Sequence, residues 1–328
     1  MAHQFNMQRL IIVYNPNSSQ YVHVSKDVLD RLTDLNGYTI GKFVIEKTSF
    51  EKNVARLIKV LKDGDLVIAA GGDATAAVSA NAILNSKKDA TLAVLPYGNF
   101  NDLARTLHTK TLDDVLSVQE ELQETDSKHD RTQSHSKNLN SHCLYPLEIL
   151  VDGKHWRYAT CYVTIGMTAE SVELFDNPKI RKQMQKGHKS SWRSYIQLAR
   201  WYFKNRHKKI FLPEFKLNGK LQSPKISDYA AVNGRSMCRV MKGRDEYKKP
   251  CVFRREIEQT TSFPKLFMLM ARSILYRVPG IPTKGDTLEF QNPATVELQA
   301  EGEYKVFENI KKIEIKKGQV CLKVIEKN

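Results

Sequence analysis

The chain has 328 residues, 41% hydrophobic and 27% charged, with 51 Lys and Arg against 36 Asp and Glu for a formal net charge of +15. That length supports two domains with cores of their own, and the composition excludes a disordered or collagen-like chain. No apolar run reaches ~18 residues and the N-terminus lacks a signal-peptide core, so the sequence predicts a soluble or peripheral protein rather than a membrane-spanning one.

The chain opens on alternating strand and helix signals. Leu10–Val13 reads as a strand that ends in Asn15-Pro16, and Val24–Leu35 carries helical spacing. Tyr38–Ile45 alternates as a strand, with Thr48 just after it, and Phe50–Leu61 is helical again. Leu66–Ala70 is a buried strand that runs straight into Gly71-Gly72-Asp73-Ala74-Thr75 and a helix-like stretch. Glycines in such a turn let backbone N–H groups approach a phosphate, and the helix start behind them favours negative charge. An Asp there can hold a metal ion riding on the phosphate, although it also serves as an ordinary helix N-cap. Leu92–Leu95 repeats the pattern and ends in Pro96-Tyr97-Gly98-Asn99-Phe100-Asn101-Asp102-Leu103-Ala104-Arg105. Three strands ending in polar turns predict a doubly wound α/β nucleotide-binding domain over residues 1–122, with the turns gathered at the carboxyl ends of the strands. Thr111 is the expected N-cap of a helix over Leu112–Leu122.

Residues 123–142 are polar and Ser/Thr/His-rich, which predicts a flexible linker in which His129, His135 and His142 belong to a solvated loop rather than a metal site. From Cys143 the pattern changes to strands. Leu144–Val151 and His155–Ile165 flank Asp152-Gly153, and Phe211–Leu217 and Leu221–Ile226 flank Asn218-Gly219, both strong hairpin signals. Tyr229–Val232, Thr287–Phe290, Ala294–Leu298, Lys311–Ile315 and Val320–Val324 continue the series. The fold class expected is therefore α/β plus all-β, with an antiparallel β-sandwich over residues 143–328 whose last strand is free to return to the first domain. Two helices interrupt it. Ser190–His207 mixes aromatic and basic residues, which suits a membrane interface but reads first as a helix packed on the β domain with a basic outer face, and Pro264–Tyr276, rich in Leu, Met and Phe, reads as core ahead of an adaptable acyl-binding surface.

Five cysteines, Cys143, Cys161, Cys238, Cys251 and Cys321, are scattered, odd in number and without a Cys-x-x-Cys spacing. They predict neither a disulfide framework nor a zinc site and fit a reducing cytoplasm. The positive charge suits nucleic acid or an anionic membrane. No zinc-finger or RNP motif accompanies it, so no nucleic-acid partner is expected.

With Asn15-Pro16, Gly71 to Thr75, Pro96 to Arg105 and a late Glu301-Gly302-Glu303 in this order, the chain resembles the diacylglycerol kinase catalytic-domain family, which includes sphingosine kinases and bacterial lipid kinases. The resemblance implies a Mg²⁺-dependent kinase that moves the γ-phosphate of ATP to a hydroxyl of diacylglycerol or a related lipid. It implies nucleotide contacts from Asn15, Thr48, Gly71, Gly72, Thr75, Gly98, Asn99, Asn101 and Glu303, and Mg²⁺ near Asp73. Glu301 takes the place of the family's catalytic Asp and would accept the proton of the lipid hydroxyl, with nucleotide on one domain and base on the other. Asp102 and Glu170 fall where the acceptor is bound. A lipid substrate makes the cation excess natural for a cytoplasmic protein peripheral to the inner face of an anionic membrane, and the resemblance leaves room for a homodimer. Ala74, Asn99, Phe100 and Glu301 depart from the family's pattern, and Met241–Lys249 replaces an Asp-rich segment, so no structural metal is expected there. Each departure touches the site, which keeps open a catalytically weakened or inactive lipid- or nucleotide-binding member of the same fold.

Overall fold

The computed structural model describes residues 8–18, 20–35, 37–117, 139–176, 196, 200, 201, 203, 211–239, 241–259 and 263–327. It divides into two compact units, Met1–Leu144 with Val320–Asn328, and Tyr145–Gln319.

The first unit is a six-stranded sheet in the order β2-β1-β3-β4-β18-β5. Strands β1 (Gln8–Tyr14), β2 (Tyr38–Val44), β3 (Leu66–Gly71) and β4 (Thr91–Pro96) are parallel. All six residues of β3 are buried, the continuous apolar run expected of a strand covered on both faces. Helices α1 (Tyr21–Asp27), α2 (Phe50–Ile58), α3 (Asp73–Ser86) and α4 (Asp102–Thr106) follow the four strands, and a 3₁₀ turn, Leu29–Asp34, completes the stretch read as one helix. Ser49 caps α2 by accepting a hydrogen bond from Lys52 N. Thr111 Oγ1 accepts from Asp114 N while Asp114 Oδ2 accepts from Thr111 N, the reciprocal cap that starts α5 (112–117).

Strand β5 (Leu139–Leu144) pairs antiparallel with β18 (Leu322–Lys327), and β18 pairs parallel with β4, so the end of the chain completes this sheet. Of the polar segment 123–142, residues 123–138 lie outside the described residues, and 139–142 belong to β5 rather than to a loop. Pairing with β18 supplies the backbone partners that overcome the weak strand propensity of Asn140 and Ser141. The same pairing corrects the cysteine reading. Cys143 and Cys321, with Cα atoms 5.2 Å apart, form a disulfide across 178 residues of sequence. Sequence spacing carries no trace of that proximity, which arises only when β18 returns beside β5.

The second unit is built on a ten-stranded antiparallel sheet. Its path runs β15 (Ile281–Thr283), β14 (Phe253–Glu258), β11 (Asp228–Val232), β8 (Tyr162–Gly166), β16 (Gly285–Ala300), β17 (Glu303–Lys317), β6 (Leu147–Val151), β7 (Lys154–Ala159), with β9 (Phe215–Leu217) on β16 and β10 (Lys220–Leu221) on β9. Strands β12 (Ser236–Met237) and β13 (Met241–Lys242) form a separate hairpin. Leu147, Ile149, Val163, Ile165, Tyr229, Phe253, Leu288 and Ile313 anchor its core. Asp152-Gly153 (φ +48°, +76°) and Asn218-Gly219 (φ +50°, +81°) take the left-handed conformations of two-residue hairpin turns, as their sequences predict.

Three readings change here. The stretch His155–Ile165 is two strands, broken at Thr160-Cys161. Thr287–Phe290 and Ala294–Leu298 are one strand, β16, whose register shifts between Glu289 and Val296 absorb the interruption. β14 escapes sequence reading because Arg254, Arg255, Glu256 and Glu258 erase the apolar alternation. Helix α6 (Met167–Asp176) follows β8, and α7 (Phe263–Leu275) follows β14. At three described positions of α7 the core assignment does not hold: Phe267, Met268 and Leu275 are exposed. The helix expected over 190–207 lies outside the described residues, except for positions 196, 200, 201 and 203.

Candidate nucleotide site and the acidic groups of the second unit

The order β2-β1-β3-β4 reverses direction between β1 and β3, and in open α/β sheets ligands bind at the carboxyl ends of the strands beside such a switch. Asn15 leaves β1 there and the Gly71–Thr75 turn leaves β3. Thr75 is buried against Gly71, where an added Cβ would lie 2.7 Å from the Thr75 Cβ. Gly72 is extended (φ −91°, ψ −170°) at the N-cap of α3 and has no side chain with which to cap it. The first N–H groups of a 14-residue helix therefore face the turn, the arrangement that favours anions. Ala74 lies inside α3 and outside the positive-φ residues, so the replacement of glycine by Ala is harmless to this turn.

The β4–α4 turn is bolted to it. A Cβ on Gly72 would lie 3.1 Å from Gly98 Cα, so the two glycine turns touch main chain to main chain. Asp73 Oδ2 accepts from Asn101 N at 2.9 Å and Oδ1 from Asp102 N at 2.6 Å, and its carboxylate thus serves the start of α4. Asn101 takes a left-handed conformation (φ +57°), which Asn tolerates. Its Oδ1 accepts from Gly98 N at 2.7 Å, and its Nδ2 donates to Pro96 O at 3.1 Å and Gly98 O at 2.8 Å. Gln20, from the β1–α1 connection, donates to Gly98 O at 3.2 Å. Asn15 closes its own turn by accepting from Asn17 N at 2.9 Å. Below the turn, Tyr97 OH donates to Asp27 at 3.4 Å, and burial pushes the phenol up to about 12.

The structure thus brings Gly71, Gly72, Asp73, Thr75, Gly98, Asn101 and Asp102 into one constellation, with Asn15 at the neighbouring strand end. Asp102 is buried and Asn99 half-buried. Thr48 follows β2, two strands away from β3 in the sheet order. Gln20 was not read from sequence, since nothing in an exposed-looking loop marks it.

Glu170, Glu301 and Glu303 belong to the second unit. Glu170 is half-buried in the first turn of α6. Glu301-Gly302 (φ +54°, +86°) is the two-residue turn of the β16–β17 hairpin, with Glu303 paired to Ala300. Left-handed backbone is unusual for Glu, and its side chain is nevertheless buried. Glu301 Oε1 accepts from Thr160 N at 2.5 Å, from Cys161 N at 2.6 Å and from the Thr160 hydroxyl. These donors come from the break between β7 and β8, so the carboxylate that terminates one hairpin also fixes the split of the neighbouring strand.

Sequence reasoning missed a second acidic group. Asp228 opens the apolar run of β11, with Glu258 opposite it on β14, and Thr168 donates to it through backbone N and hydroxyl. Burial pushes Asp228 up to about 8. Burial also pushes Glu256 up to about 8, with Glu258 and Asp228 adding to the effect. Carboxyls that hold protons near neutrality are suited to acid–base work. The readable signal was a charged residue inside a strand otherwise made of Tyr, Ala and Val. Among the described residues, no three His, Cys, Asp or Glu side chains converge as a metal site.

Residues 9–133 match the model of the diacylglycerol kinase catalytic domain. A diacylglycerol kinase of Staphylococcus saprophyticus is 32% identical over 114 residues, 34% of this chain and 36% of that protein. One from Staphylococcus epidermidis is 35% identical over 106 residues, 31% of this chain and 32% of that protein. These matches span about a third of the curated relatives' length. The fold extends the likeness: the crystal structure of a diacylglycerol kinase from Bacillus anthracis superimposes with a TM-score of 0.63 at 14% identity, covering 98% of this chain and 97% of that one. The chain therefore resembles the diacylglycerol kinase catalytic-domain family in sequence over residues 9–133 and in fold over nearly its whole length.

Proposed function

We propose that the chain is a lipid kinase that transfers the γ-phosphoryl group of ATP to a hydroxyl of diacylglycerol or a related lipid. One observation carries the reading: two glycine turns in contact at the β1/β3 switch point, fastened by Asp73 beside a helix start with glycine at its N-cap. Phosphoryl transfer needs positioning and charge neutralisation above all. The backbone N–H groups after Gly72 would hold phosphate oxygens, and Gly98 keeps that approach free of side chains. Asn15 would bind from the neighbouring strand end.

The donor set suits Mg²⁺, which keeps several waters and needs only one or two carboxylates plus substrate phosphates. Asp73 would hold it, and the ion would neutralise charge on the phosphates. Asp73 oxygens already bonded to backbone N–H groups have lone pairs left for such a contact. Glu301 is the carboxylate proposed to take the proton of the acceptor hydroxyl, Glu303 is proposed as a nucleotide contact, and Asp102 and Glu170 as acceptor contacts. A lipid acceptor places the work at a bilayer, consistent with the net charge of +15.

A second reading, a binding protein that has lost phosphoryl transfer, draws on Glu301: its Oε1 already serves three donors of its own unit. Incubation with ATP, Mg²⁺ and a panel of diacylglycerols and related lipids separates the two. A phosphorylated lipid supports the kinase. Nucleotide binding with no product on any lipid supports the binding protein.

A further inference from the structure

A helix on a water-soluble surface turns its large apolar residues inward. Several described positions of α7 and of the chain after it do the reverse. Phe267, Met268, Leu275, Tyr276 and Ile281 are 61–75% exposed, while the buried positions include Ser273 and Val278. Met268, Arg272, Leu275 and Tyr276 follow helical spacing along one exposed face. The segment 263–284 carries Lys265, Arg272, Arg277 and Lys284 and contains no Asp or Glu. All four cations are exposed. Arg272 lies within electrostatic reach of Glu256, and Arg277 within reach of Asp245. Glu256 is a weak counter-charge at neutral pH, because burial pushes it up to about 8.

We propose that this face, α7 with Tyr276, Arg277 and Ile281, docks on an anionic lipid bilayer. Apolar side chains flanked by Lys and Arg are the pattern of an interfacial segment, in which Met, Leu and Tyr enter the acyl boundary and the cations stay among the headgroups. Charge selects the bilayer over a second copy of the chain. A copy would bring four cations against four, on molecules that each carry +15, whereas anionic lipid compensates both. The inference deepens the lipid-kinase reading by naming the surface that meets the membrane. It is testable without ATP, so that its failure and the failure of the kinase reading are separate results.

The test is co-sedimentation of the full chain with vesicles of phosphatidylcholine alone or mixed with phosphatidylglycerol. The wild type should pellet with the mixed vesicles and be released as salt rises. The double variant Met268→Glu/Leu275→Glu, altered only at exposed positions, should melt as the wild type does and lose about tenfold or more in partitioning. Tyr276→Ser should weaken partitioning in the same direction. A wild type that stays in the supernatant overturns the proposal. So does a double variant that binds as well as wild type, or one whose effect is to dissociate a dimer in solution while vesicle binding persists.

Discussion

Gly98→Ala probes the contact on which the candidate site rests. The two glycine turns meet so closely that a Cβ on Gly98 would fall inside the van der Waals envelope of Gly72 Cα and lie 2.8 Å from Asn101 Oδ1. Carbon atoms settle at roughly 3.5–4.0 Å, so one turn must move. Neither yields easily. The obstacle on one side is main chain, and on the other is a side chain held by Gly98 N, Pro96 O and Gly98 O. Overpacking in a tight site costs about 1–3 kcal/mol, and a backbone obstacle places Gly98→Ala near the top of that range. Gly72→Ala is the graded control. Its Cβ would sit 3.1 Å from Gly98 Cα, a misfit of a few tenths of an ångström, for a loss of about 1 kcal/mol. Urea unfolding followed by circular dichroism measures both, and nucleotide titration of the folded variants should show weaker binding for Gly98→Ala. Equal stability of Gly98→Ala and wild type, or a larger loss for Gly72→Ala, would refute the reasoning.

Two further perturbations follow. Asp73→Ala removes two hydrogen bonds from a charged acceptor, each worth roughly 1.5–3 kcal/mol and here near the low end because Asp73 is half-buried. The expected loss of about 3 kcal/mol corresponds to a melting point lower by about 6–12 °C, and a variant that melts with the wild type contradicts the bridging role. Lys317 gives a pH signature. Its ammonium donates to Asn233 Oδ1 and, at 2.6 Å, to Glu246 O, and burial holds it down to about 7 from an ordinary 10.5. Between those values the unfolded chain binds the proton and the folded one does not, so this group's contribution to stability rises with pH, by up to about 1.4 kcal/mol per pH unit. Lys317→Met should flatten the slope in that window, and unfolding titrations at two pH values inside it check the sign.

Much of the fold is legible in the sequence because local and long-range preferences agree there. The buried run of β3, the Asn218-Gly219 and Asp152-Gly153 turns and the Thr111 start each carry a signal that survives packing. What escaped depends on partners far away in the chain. β5 is a strand because β18 pairs with it, and the Cys143–Cys321 disulfide depends on the same return. β14 is a strand although Arg and Glu dominate it, and its acids lose their solvent beside Asp228. α7 misled in the other direction, since apolar content alone does not place a residue inside: Phe267, Met268 and Leu275 are exposed. At the candidate site, the residue types and their order were readable. That Asp73 serves α4, and that Glu301 turns a hairpin while its carboxylate fixes Thr160 and Cys161, required the geometry.

The central claim is phosphoryl transfer to a lipid hydroxyl, and γ-labelled ATP tests it most directly. Purified protein with Mg²⁺ and diacylglycerol in mixed micelles should place the label in the lipid fraction, and Glu301→Gln should lower the rate at least ~100-fold while the hairpin stays folded. A folded wild type that binds the nucleotide yet leaves every lipid in the panel unlabelled would contradict the account.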